Sequence, residues 1–84
     1  MKLWLLRPKE GLPENEGPLN PWEPWYDKTF GFVIRAETEG EARKIAKGDC
    51  DCEGRSAWSS AFSTCIELLP EGESGIIIKD FARA

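Results

Sequence analysis

Apolar positions along this chain repeat first with the period of a strand, then of a helix, then of strands again. Residues 2–7 place Leu3 and Leu5 on one face of an extended segment and Trp4 and Leu6 on the other, so both faces carry apolar groups. Pro8 lacks an amide hydrogen and is expected to end this strand. Residues 30–36 alternate strictly. Phe30, Phe32, Ile34 and Ala36 share one face, while Gly31, Val33 and Arg35 share the other. The spacing then changes. Thr38 and Glu41 fit a capping box, in which hydroxyl and carboxylate satisfy each other's exposed backbone donors. Ala42, Ile45 and Ala46 form a narrow helical stripe, and Arg43, Lys44 and Lys47 gather where the helix dipole favours cations. Gly48 suits a left-handed position just past the helix.

Residues 49–55 read as a loop, and residues 56–61 as a short helical turn with Trp58 facing inward. Residues 62–69 form a third strand, with Phe62, Thr64, Ile66 and Leu68 on one face. Residues 70–75 make a hairpin-like connection into a fourth strand at 76–81. The order β-β-α-β-β predicts one α+β domain over residues 1–84, with a four-stranded, mainly antiparallel sheet and the helix on one face. The second face is expected to be partly covered.

The natural cover is the long Pro/Trp-rich connection at 9–29. Its second half, running from Asn20 to Lys28, sets Trp22, Trp25 and Tyr26 among prolines that stiffen the backbone. It serves either as a cap on the core or as a surface for a partner. The connection also holds Glu10, Glu14, Glu16, Glu23 and Asp27 against Lys9 and Lys28, so most of the chain's net charge of -4 lies there.

That acidity and the lack of a basic stripe disfavour direct binding to a phosphate backbone. No apolar run is long enough to span a bilayer, nor is there a secretory leader pattern at the start, so a cytoplasmic protein is expected. There is no histidine, which removes Ser-His and Cys-His nucleophile pairs and imidazole metal ligands. With no phosphate-binding glycine loop or nucleophile elbow, the chain reads as a non-enzyme without a cofactor.

One stretch invites a metal reading. Asp49, Asp51 and Glu53 occupy the first, third and fifth places of a calcium loop, with Gly54 at the sixth. The match fails at the twelfth place, where Ser60 replaces the bidentate glutamate. Cys50, Cys52 and Cys65 offer three thiols to zinc, with no histidine to complete four ligands. In a reducing compartment, free thiols are expected.

The segments Leu5 to Pro8, Pro21 to Lys28, Phe30 to Glu37, Thr64 to Leu68 and Gly75 to Phe81 resemble a type of small prokaryotic or phage-borne protein with no function attached. In size, acidity and lack of catalytic groups the chain is also similar to anti-CRISPR proteins and other inhibitors of host defence. The leading expectation is a binding module for a larger protein or complex that handles nucleic acid. Trp22, Trp25 and Tyr26 would be its anchors, and Glu14, Glu16, Glu23 and Asp27 its charged rim. A metal-responsive module using Asp49, Cys50, Asp51, Cys52 and Glu53 is one alternative. A small homodimer pairing an exposed strand edge at 76–81 is another.

Overall fold

The computed structural model describes residues 1–12, 20–22 and 27–80. Three strands form one antiparallel sheet: β1 (Lys2–Pro8), β2 (Phe32–Ala36) and β3 (Ser63–Leu68). β1 lies in the centre, in the order β2-β1-β3. Leu5 faces Val33 on one side and Ile66 on the other; Leu6 faces Phe32 and Cys65. Side chains of directly opposed residues share a face, so this register sorts the sheet into two surfaces.

The first surface carries Trp4, Leu6, Phe32, Ile34 and Ala36, and the helix α1 (Glu39–Gly48) packs over it. Ala42 and Ala46 are buried, and their small side chains let the helix lie close to the sheet. Ile45 is 45% exposed, so the contact stripe is narrower than the sequence spacing implies. A 3-10 helix (Arg55–Trp58) closes the open side of this core, with Ala57 and Trp58 fully buried. The Trp58 ring meets Trp22 at 5.0 Å and Phe32 at 4.9 Å between centroids, both edge to face. Those are the geometries that aromatic quadrupoles favour.

Several boundaries differ from the sequence expectation. β1 continues through Pro8, its last residue, opposite Ser63, the first residue of β3, where the missing amide hydrogen is tolerated. β2 begins at Phe32 rather than Phe30. The Thr38 hydroxyl accepts from the Glu41 amide, as a cap should, but the Glu41 carboxylate reaches the amide of Glu37 instead of that of Thr38. Gly48 is the last residue of the helix, and Asp49 caps it at φ -126°, so no left-handed glycine is used.

In β3 the inward positions are Ser63 and Cys65, whereas Thr64 and Ile66 face solvent. The reason is Arg43. Its guanidinium donates to the Ser63 hydroxyl at 2.8 Å, the Ser63 carbonyl at 3.3 Å and the Trp58 carbonyl at 2.9 Å. Ser63 in turn donates to the Ser59 carbonyl. The site is thus filled by a satisfied polar network rather than by a large apolar side chain.

The expected fourth strand is not seen. Described residues 69–80 make no strand pairing, and Ile76, Ile77 and Ile78 are 79%, 65% and 45% exposed; Phe81 lies outside the described residues. A run of β-branched residues favours extended backbone, but a strand exists only with a partner.

Gly54 introduces the 3-10 helix at φ 86° and ψ 159°, a region essentially closed to residues with a Cβ. Gly54→Ala should therefore cost about 1–3 kcal/mol. A urea titration would check it; an unchanged midpoint would refute the backbone argument.

Candidate interaction surface

The second surface of the sheet is assembled from the alternate residues of the same strands. Leu3, Leu5 and Arg7 come from β1, Val33 and Arg35 from β2, and Thr64, Ile66 and Leu68 from β3. Leu5 is buried at 5% exposure, yet it stands apart from the helix-side core cluster. Its cross-strand neighbours do not follow it inward: Val33 is 55% exposed and Ile66 56%. An apolar strip therefore crosses the sheet and ends in solvent on both edges. Among the described strand residues of this face the charged side chains are Arg7 and Arg35; Glu10 and Asp80 line a cleft with Arg7, and Glu67 lines one with Arg35.

Gly31 shapes one end of the strip. A Cβ there would stand 2.9 Å from the Arg7 guanidinium and 3.4 Å from its Cδ. Gly31→Ala should thus push the arginine head aside and leave stability within about 0.5 kcal/mol, as for other surface changes. A larger loss on chemical denaturation would show that the guanidinium is fixed by more than this contact.

The aromatic segment divides. Trp22 belongs to the core: it is 5% exposed, packs on Trp58 and Phe30, and donates from Nε1 to the Phe62 carbonyl at 2.9 Å. It caps the helix side of the sheet rather than the second face. On the far side of the segment, the Asp27 carbonyl accepts from the Cys52 amide at 2.9 Å, and Lys28 donates to the Pro21 carbonyl. Asp27 is exposed, with φ 55°. Glu14, Glu16, Glu23, Trp25 and Tyr26 lie outside the described residues.

The acidic loop after α1 is an internal brace. Glu53 is 5% exposed. Its Oε1 accepts from the amides of Thr29 at 2.9 Å and Asp51 at 3.2 Å, and its Oε2 accepts from Trp58 Nε1 at 2.8 Å. Asp51 accepts from the Thr29 hydroxyl. Asp49 and Cys52 are exposed, and the Cys50 thiol donates to the Lys47 carbonyl. Among the described residues, no three His, Cys, Asp or Glu side chains are grouped to hold a metal ion.

All three cysteines are free thiols. Burial pushes the Cys65 thiol above its ordinary value of 9.0; nearby Arg43 opposes this and Glu39 adds to it. The thiolate is the reactive form, so Cys65 should alkylate more slowly than exposed Cys52 at pH 8. Peptide mass spectrometry after brief iodoacetamide treatment would show the order, and equal rates would contradict it.

Among the described residues, no helix is long and apolar enough to cross a membrane. Comparison with family models, curated proteins and solved structures returns no match to this chain.

Proposed function

We propose that this chain is a non-enzymatic module that binds another protein through the second face of its sheet. The observation that carries the reading is the strip Val33–Leu5–Ile66, apolar across three strands and open at both ends. Scattered exposed apolar residues are ordinary; here two half-exposed ones, Val33 and Ile66, flank buried Leu5 on one sheet face, an arrangement that suits a contact. Two arginines beside it supply residue types that dominate binding energy at interfaces. The test is a tagged chain in nuclease-treated prokaryotic lysate, beside a Val33→Glu bait. A stoichiometric protein held by the first and lost by the second supports the reading. Identical sets on both baits would sink it.

A second reading places the contact on the acidic segment that includes Glu14, Glu16, Glu23, Trp25, Tyr26 and Asp27. The target would be the basic groove of a host nucleic-acid-handling complex, and the protein a cytoplasmic phage or mobile-element inhibitor. The observation favouring it is that the chain is fastened on both flanks of Trp25, by the Trp22 indole on the Phe62 carbonyl and by the Asp27 carbonyl on the Cys52 amide. Trp25→Ala should then release the captured partner and leave the fold intact, whereas Val33→Glu should keep it. The reverse pattern would return the site to the sheet face.

A further inference from the structure

We propose that Cys50 and Cys52 form a two-thiol site for a soft monovalent cation, Cu(I) by class, in the loop after α1. The sequence offers three thiols to one metal, and the fold separates them. Cys65 lies in β3 on the helix side of the sheet, opposite Leu6. Cys50 and Cys52 instead line one surface cleft, together with Asp27, Lys28 and Asp51. Both are free thiols.

The stretch that carries both sulfurs is already braced. The Asp51 carboxylate accepts from the Thr29 hydroxyl, and its amide donates to the buried Glu53 carboxylate at 3.2 Å. The Asp51 carbonyl accepts from the Gly54 amide at 3.1 Å, and the Cys52 amide donates to the Asp27 carbonyl at 2.9 Å. A loop ordered in advance spends less of its binding energy on ordering. Alpha carbons two residues apart stand up to about 7 Å from each other. A disulfide would have to draw the sulfurs to about 2.05 Å, against that brace. An ion held between two sulfurs spans two metal–thiolate bonds, about 4.6 Å if each matches the length found with zinc, and asks less of the loop.

Ligand count and charge select the ion. Among the described residues, no third His, Cys, Asp or Glu joins the pair in a grouping that could hold a metal. Structural zinc wants four ligands and calcium a cage of oxygens, whereas thiolates select soft ions such as Cu(I), for which two suffice. The cleft sets two carboxylates against one ammonium, and that ammonium donates to the Pro21 carbonyl, so its charge favours a cation. On binding, two S–H bonds break, two Cu–S bonds form and two protons pass to water, with no change of oxidation state. The Cys50 thiol gives up its contact with the Lys47 carbonyl at 3.4 Å, a small loss because a thiol is a weak donor.

The test presents the reduced full chain, without oxygen, with Cu(I) held by ferrozine, and reads the fading of the coloured complex beside the native mass. The unaltered chain should withdraw one Cu(I) per chain. Cys52→Ser and Cys50→Ser should each withdraw none, and Cys65→Ser should withdraw one. Cys52 is exposed, so its variant keeps the fold and decides the matter if loss of Cys50, which packs against the core, disturbs it. Zn(II) over the same range should leave the mass unchanged. Failure of the unaltered chain to withdraw Cu(I) overturns the proposal, as does full withdrawal by Cys52→Ser. One ion shared by two chains would also overturn it, because the paired sulfurs would then come from different molecules. So would one Zn(II) per chain that Cys52→Ser abolishes, because the site would then hold more than two ligands.

Discussion

Trp58→Ala is expected to remove most of the chain's stability. The ring is fully buried and sits at the meeting point of the 3-10 helix, β2 and the Trp22 cap. Removing a large buried aromatic costs about 3–5 kcal/mol in transfer and cavity energy. Two edge-to-face contacts and the Nε1 bond to Glu53 go with it. A domain of 84 residues has a total stability of about 5–10 kcal/mol, so this one change removes much of it. Trp58→Phe separates the contributions. It keeps most of the apolar volume and loses the Nε1 donor, for an expected cost nearer 2 kcal/mol. Far-UV circular dichroism against urea reads both variants without relying on the tryptophan signal. An alanine variant whose midpoint matches the unaltered protein would mean that the core is not organised around this ring.

That dependence explains which parts of the fold were legible in the sequence. Ile34 and Ala36 alternate with polar residues, and the Thr38 cap precedes a short helical stripe, so β2 and α1 announce themselves locally. Trp58 was expected to face inward, and it does. The third strand forms with Thr64, Ile66 and Leu68 on one face as expected, but the sequence did not display that this more apolar face turns away from the helix. The inward place is taken by Ser63, made tolerable by an arginine 20 residues away. Apolar periodicity cannot register a polar network that is satisfied at long range.

The fourth strand misled for a related reason. Ile76, Ile77 and Ile78 have the propensity of a strand but no partner among the described residues, and β structure belongs to pairs rather than to segments. The candidate site was legible only as residue types. Trp22 was read with Trp25 and Tyr26 as one group, but its indole lies in the core. The strip from Val33 through Leu5 to Ile66 joins residues from three strands and depends on register, which a single sequence does not display.

Glu53→Ala should be nearly as damaging as the loss of Trp58, although glutamate is ordinarily a surface residue. The carboxylate gathers three donors from separate parts of the chain: Trp58 Nε1 from the 3-10 helix, the Thr29 amide before β2 and the Asp51 amide in its own loop. Each donor left without an acceptor in this setting costs about 1–3 kcal/mol. Water can reach the opened site and recover part of that, so an overall loss of about 3–4 kcal/mol is expected. Glu53→Gln tests whether the charge or the shape matters. Its amide oxygen can still accept from two donors, but its NH2 group must then face the third, and two donors repel. It should cost about 1–2 kcal/mol, between the unaltered chain and the alanine variant. Hydrogen exchange gives a second reading: in the glutamine variant, the amides of Thr29 and Asp51 should exchange faster than those of β1. Full stability in Glu53→Ala would mean that the loop after α1 is held by other contacts.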